Sequence, residues 1–300
     1  MRSRRRVAVE VATIAVVGMV ALSLNLFASP FHRGFFCGDA SIRLPYRAAT
    51  ISEGTLLITA VLVPSFIMVV AEMAMAYRGS PSIPSGSTRG SVAASSSYCV
   101  LAPFWLGGVS LQLGLEAAKF TSGRLRPHFI DVCIPDVECP PGEPLRYIEH
   151  YGCRGTDEDL IREARLSFPS AHSALAFYSM AYLSYYLQCR IPRLWLFPRA
   201  GLQAFLFLAA ALTAISRVSD NMHHWSDAAF GSAAGFLWCL IFVLFCVMED
   251  YESPLKRRKV VANGCLTCTV DNGKKVYAPC VRSDCCGNQM PSVTNDNEIC

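Results

Sequence analysis

Stretches of about 20 apolar residues recur along this chain, and they constrain its fold more than anything else in it. That length carries a helix across the hydrocarbon of a bilayer, where every backbone polar group must find its partner inside the segment. Six stretches are predicted to span: Val7 to Ala28, Thr55 to Met75, Ser97 to Leu115, Ala171 to Leu187, Leu202 to Ile215 and Ala228 to Met248. The fifth is short unless Trp195 to Ala200 extends it. Hydrophobic residues make up 52% of the 300 and charged ones 17%, where a globular domain carries about 25% charged. The expected architecture is therefore all-α, a six-transmembrane-helix bundle. It divides into a cytoplasmic N-terminus with the first span (1–29), a core with five further spans (30–248) and a flexible cytoplasmic tail containing cysteines (249–300).

Basic residues orient the bundle, because short cytoplasmic segments retain Lys and Arg. Arg2, Arg4, Arg5 and Arg6 precede the first span, Arg78 and Arg89 lie in the second link, and Arg190, Arg193 and Arg199 lie in the fourth. Lys256, Arg257, Arg258 and Lys259 follow the last span. All fall on one side, which puts both termini in the cytoplasm. The net charge of +4 is thus a topology signal and not a sign of nucleic-acid binding. A cleaved signal peptide with MRSRRR as its basic region is the alternative for the N-terminus, but the apolar run is longer than such peptides carry.

The 14 cysteines divide by compartment. Cys37, Cys133, Cys139 and Cys153 fall in outer loops and can form disulfides, with the pairing open. Cys189 and the tail cysteines Cys265, Cys268, Cys280, Cys285, Cys286 and Cys300 fall inside, where palmitoylation or reduced thiols are preferred to zinc because no His accompanies them. Glu72 lies near the inner end of the second span, and the simplest reading has it reaching water. Gly79 to Ser97 reads as a flexible inner linker. In the outer loop that runs to Leu166, TDEDLIREARL has a helical pattern.

Whichever way the protein inserts, the end of span three, the start of span four and the link from span five to span six share one membrane face. Each carries polar residues: Lys119, Arg124 and Arg126; Ser170 and His172; and the stretch SRVSDNMHHWSD from Ser216 to Asp227. His223 and Asp227 are four apart, so on a helix they share a face, and the carboxylate can accept the imidazole's other N–H and fix its tautomer. Arg217 presents a fork suited to phosphate oxygens. Two imidazoles opposed across a cationic pocket suit in-line displacement at phosphorus, one attacking and one protonating the leaving oxygen. A metal site is disfavoured, since the nearby cations would repel the ion. His128 reads as a loop hydrogen-bonder, and Arg124 as either a solvated charge or a phosphate ligand.

These boxes resemble a known family. Lys119, six residues, then Arg126-Pro127; Pro169-Ser170-Ala171-His172; and Ser216-Arg217, five residues, His223, three residues, Asp227 are similar to the three-part signature of the lipid phosphate phosphatases, the type 2 phosphatidate phosphatase superfamily. PFHRGFFC and GRLRPHF resemble its animal, Wunen-like branch, and the likeness runs from about Pro30 to Met248. The resemblance implies that His223 is the nucleophile forming a phosphohistidine, that Asp227 orients it, and that His172 protonates the departing alcohol. It implies that Lys119, Arg126, Ser170 and Arg217 bind phosphate oxygens, with no metal and no cofactor. It also implies phosphatidate, lysophosphatidate, sphingosine 1-phosphate or ceramide 1-phosphate as substrates, drawn from the membrane, with the active site at the extracellular or lumenal face, at the plasma membrane or in an endomembrane. A homo-oligomer is left open. Two departures stand out: Ala171 replaces the usual Gly of the second box, and the usual glycosylation sequon is missing. The alternative reading is a catalytically silent relative that binds lipid phosphates or scaffolds partners.

Overall fold

In the computed structural model the described residues are 4–78, 88–140 and 142–251, with a hairpin of Val270–Asp271 and Lys274–Lys275. Arg2, residues 79–87 of the linker, the KRRK cluster and the tail cysteines lie outside the described residues. Residues 89–97, read from the sequence as flexible linker, instead form the first turns of a helix capped by Thr88. Helix α1 is Arg4–Phe27. Helix α2, Glu53–Leu57, is capped by the Ser52 side chain and continues through a π turn at Ile58–Leu62 into α3, Val63–Arg78. The wider turn sits where Pro64 can neither donate to the helix ladder nor fit against the preceding turn.

Helix α4, Arg89–Ser122, opens on a capping box between Thr88 and Ser91 and ends at Gly123. Its 34 residues rise about 50 Å, well beyond the roughly 30 Å of hydrocarbon. Short helices α5, Phe129–Cys133, and α6, Glu158–Glu163, belong to a cap at one end of the bundle. The cap is pinned by strand β1, Phe35–Phe36, paired antiparallel with β2, Tyr147–Ile148, and by disulfides Cys37–Cys139 and Cys133–Cys153. Then follow α7, Ala171–Arg190, α8, Leu196–Ser219, and α9, Trp225–Tyr251.

Among the described residues, five helical stretches are long and apolar enough to cross a membrane: Val7–Phe27, Glu53–Arg78, Arg89–Ser122, Leu196–Ser219 and Trp225–Leu244. The fifth predicted span is longer than its apolar run, because Leu196 to Gly201 extends it. The fourth predicted span, α7, is not among the five, and its position explains why. It is the central helix, packed chiefly on α9 and α8 and also on α4. A helix surrounded by other helices needs no lipid-facing stripe and can carry polar groups that its neighbours satisfy. Tyr178 and Tyr182 do this, donating to the α4 carbonyls of Phe104 at 2.8 Å and Val100 at 2.9 Å. On α9, Gly231 and Gly235 let α7 come close, since a Cβ at either would meet the carbonyl oxygen of Ser170 or Ala174.

Glu72 corrects the sequence reading. It is buried, accepts from Tyr186 Oη at 3.0 Å and pairs with Arg190 at 2.8 Å. At the depth of α3's last turns a carboxylate turned into the bundle needs partners, and α7 supplies both.

Candidate active site

Three segments far apart in the chain meet at one end of the bundle. Helix α4 stops at Gly123, whose φ of 53° suits glycine and where a Cβ would strike the Phe31 backbone. The chain then turns back across the starts of α7 and α9. The Ser122 hydroxyl donates to Phe168 O at 2.9 Å, Ser167 N–H to Arg124 O at 2.9 Å, and Ser170 N–H to Asp227 O at 3.2 Å. Ser170 is buried and caps α7, its Oγ accepting from Ser173 N–H. Helix α8 ends where Asn221 takes a φ of 56°, a conformation Asn tolerates, with the N–H groups of Met222 and His223 folded back onto Arg217 O.

Each basic residue of the site has one acidic holder: Lys119 with Glu116 at 3.0 Å, Arg126 with Glu163 at 3.3 Å, Arg217 with Asp220 at 3.1 Å and Arg124 with Asp227 at 2.5 Å. Thr50 fixes Asp220 from its N–H and its hydroxyl, both at 2.8 Å. Glu116 is steadied by Gln112 at 2.7 Å and by Asn25 of α1 at 3.2 Å. The cations are thus set in place and balanced, so any pull on an anion comes from donors still free. Among buried atoms with no partner are Arg126 Nε and His172 Nε2.

His223 is buried, and its Nδ1 lies 2.6 Å from Ser167 O. A carbonyl can only accept, so Nδ1 carries the hydrogen and Nε2 keeps its lone pair. Burial, and then the charge of Arg126, hold this imidazole well below its ordinary pKa of 6.5, which preserves that lone pair. His172 contacts the backbone of Ile51, and the charges acting on it are Arg217, Lys119 and Arg126; it acts in turn on His223. The seven residues singled out from the sequence, Lys119, Arg126, Ser170, His172, Arg217, His223 and Asp227, therefore gather in one region.

The expected bond between His223 and Asp227 is not made. Helix α9 starts only at Trp225, so His223 precedes it and the two residues do not share a helical face. Asp227, fully buried, instead accepts from Ser167 Oγ at 2.6 Å and from His224 N and Nδ1 at 3.2 Å, besides Arg124. Arg124, left open by sequence, is thereby a partner of Asp227. Ala171 is the first residue of α7 and not among the non-glycine residues of positive φ, which are Ile134 and Asn221, so its methyl strains nothing in the backbone. His128 is a buried loop hydrogen-bonder, 2.8 Å from Asn221 O.

Sequence reasoning missed Ser167, Asp220, Thr50 and Glu163. Asp220 was recoverable, lying three residues after Arg217 as Glu116 lies three before Lys119. Thr50 and Glu163 reach the site only through tertiary folding and carried no local signal.

Comparison with known proteins adds an independent line. A model of the PAP2 superfamily matches residues 100–250. The chain is 34% identical to Phospholipid phosphatase 1 of Rattus norvegicus over 261 residues, covering 84% of this chain and 89% of that one. It is 36% identical to Phospholipid phosphatase 2 of Mus musculus over 253 residues, covering 82% and 87%. Against Phospholipid phosphatase 2 of Homo sapiens the identity is 35% over 249 residues, covering 82% and 83%. No solved structure matches the chain.

Proposed function

The chain belongs to the PAP2 superfamily, and from that premise we propose that it is an integral-membrane lipid phosphate phosphatase working through a phosphohistidine. The observation that carries the reading is the His223 ring, with its proton on Nδ1 and its Nε2 free, in the field of Arg126 and Lys119 and beside His172. His223 Nε2 attacks phosphorus as the bond to the lipid oxygen breaks, and that oxygen takes a proton from His172 Nε2, the imidazole having taken up that proton from solution as the phosphate dianion bound beside it. A water deprotonated by His172 then releases phosphate and restores both imidazoles. Donors of Lys119, Arg126, Arg217 and Ser170 grip the equatorial oxygens, where charge is highest in the transition state. Asp227 stands behind the nucleophile. The donors that these paired cations keep free stabilise the transferring phosphoryl group without a divalent metal, so turnover is Mg-independent.

Phosphatidate, lysophosphatidate, sphingosine 1-phosphate and ceramide 1-phosphate all fit, their tails staying in lipid while the headgroup reaches the pocket. The two disulfides of the cap, which shares the site's end of the bundle, support an extracellular or lumenal pocket, since such bonds persist in oxidising compartments. The reading makes α7 a sixth span and the enzyme an attenuator of lipid signals at the plasma membrane or in an endomembrane.

The test is phosphate release from phosphatidate by the purified full chain in EDTA. Wild type is expected to turn over and His223→Ala to lose the activity. Turnover by His223→Ala, or activity that needs added Mg²⁺ or Zn²⁺, would overturn the mechanism.

A further inference from the structure

We propose that Ser167 is a positioning residue for the phosphatase reaction, holding the nucleophile in its working tautomer, and that Asp227 reaches His223 only through it. The inference rests on the function proposed above. It comes from how completely Ser167 and Asp227 are committed.

Ser167 is fully buried and held at each of its polar groups. Its N–H donates to Arg124 O at 2.9 Å, its hydroxyl to Asp227 Oδ2 at 2.6 Å, and its carbonyl accepts from His223 Nδ1 at 2.6 Å. The residue thus links all three boxes by main chain and side chain together. Asp227, by contrast, has both oxygens engaged elsewhere. Oδ1 takes Arg124, and Oδ2 takes Ser167 and both donors of His224. Among the described residues no hydrogen bond joins it to His223.

The chemistry follows from replacing a carboxylate by a carbonyl behind the ring. During attack the Nε2 lone pair forms the N–P bond and the electron pair of the P–O bond leaves on the lipid oxygen, which His172 protonates. The Nδ1 proton stays where it is throughout. A carbonyl, which cannot take a proton, fixes that hydrogen and orients the ring while leaving the imidazole neutral at rest. The carboxylate's work is to hold Ser167, with Arg124 and His224, so that this carbonyl points at Nδ1. Ser167→Ala keeps the carbonyl but frees the loop behind it.

A double-mutant cycle on the purified full chain tests this, with kcat and KM for phosphatidate measured in Ser167→Ala, Asp227→Asn and the pair. Ser167→Ala is expected to lower kcat about 10- to 100-fold, the scale of an ångström-sized misplacement of a reacting group, with KM little changed. Ser167→Thr, which keeps the hydroxyl, is expected to recover most of the loss. The double variant should be no worse than the poorer single, because both substitutions cut one link. Losses that multiply would mean that Asp227 acts on His223 by a route of its own, and the proposal falls. Should Ser167→Ala fail to fold, the pH profile of kcat/KM in Asp227→Asn decides. A carboxylate bonded directly to the ring would raise its pKa, so its removal would move the acid limb downward, whereas the indirect link leaves the limb in place. His223→Ala is carried alongside: if it stays active the function itself is wrong, and if it is dead while the losses multiply only the role of Ser167 is wrong.

Discussion

Each end of α7 holds a buried charge cluster, and the two differ in what is left over. At the Arg190 end, Glu72 is met by Tyr186 at 3.0 Å and Arg190 at 2.8 Å. At the Ala171 end, four cations face four carboxylates, so the charge count closes there as well. Yet Arg126 Nε and His172 Nε2 are buried without partners and His223 Nε2 keeps a lone pair. An unmet buried polar atom costs about 1–3 kcal/mol, which a fold tolerates where a ligand will complete the bonding. Charge alone does not distinguish these two clusters; the unmatched Arg126 Nε and His172 Nε2 and the His223 lone pair, gathered at one end, do.

The contrast breaks most readily at Arg217. Arg217→Lys removes the buried fork while keeping the charge, and kcat/KM for phosphatidate is expected to fall roughly 100-fold; a change under threefold would contradict a phosphate-gripping role. Gly231→Ala should follow, with about tenfold lower kcat, because the new methyl meets the Ser170 carbonyl at the start of α7. At the far end Glu72→Gln is expected to cost roughly 1–3 kcal/mol of stability, read as a lower Tm in detergent, while kcat of the folded enzyme stays at the wild-type level. A large loss of kcat there would mean that the two ends are coupled and the contrast is false.

The smallest effect is in pH. The folded pKa of His223 is lowered from 6.5, so the unfolded chain takes up its proton first as pH falls. This group's contribution to stability is full above pH 6.5 and is lost as pH drops toward the folded value. The nucleophile likewise stays unprotonated through that window. The acid limb of kcat/KM, corrected for the substrate's own titration, is expected below pH 6.5; a limb for His223 above it would contradict the buried, cation-flanked ring.

What the sequence made legible was whatever local spacing controls. Apolar runs marked most helices, and parity of the spans brought Lys119, His172 and His223 to one face before any coordinates. Hydropathy marked α7 less well in three dimensions, because a central helix is chosen for fit against neighbours, as Tyr178 and Tyr182 show, and not for lipid. The four-residue spacing of His223 and Asp227 misled because the helix begins between them. Glu72 misled because its partners, Tyr186 and Arg190, come from another helix. The holders Thr50 and Glu163 were hidden for the same reason.

The most direct test is where the phosphoryl group goes. Brief mixing of the purified enzyme with ³²P-labelled phosphatidate, quenched in base, should trap an acid-labile, base-stable label that peptide mapping assigns to His223. Label on any other residue, or label of undiminished amount in His223→Ala, would contradict the account.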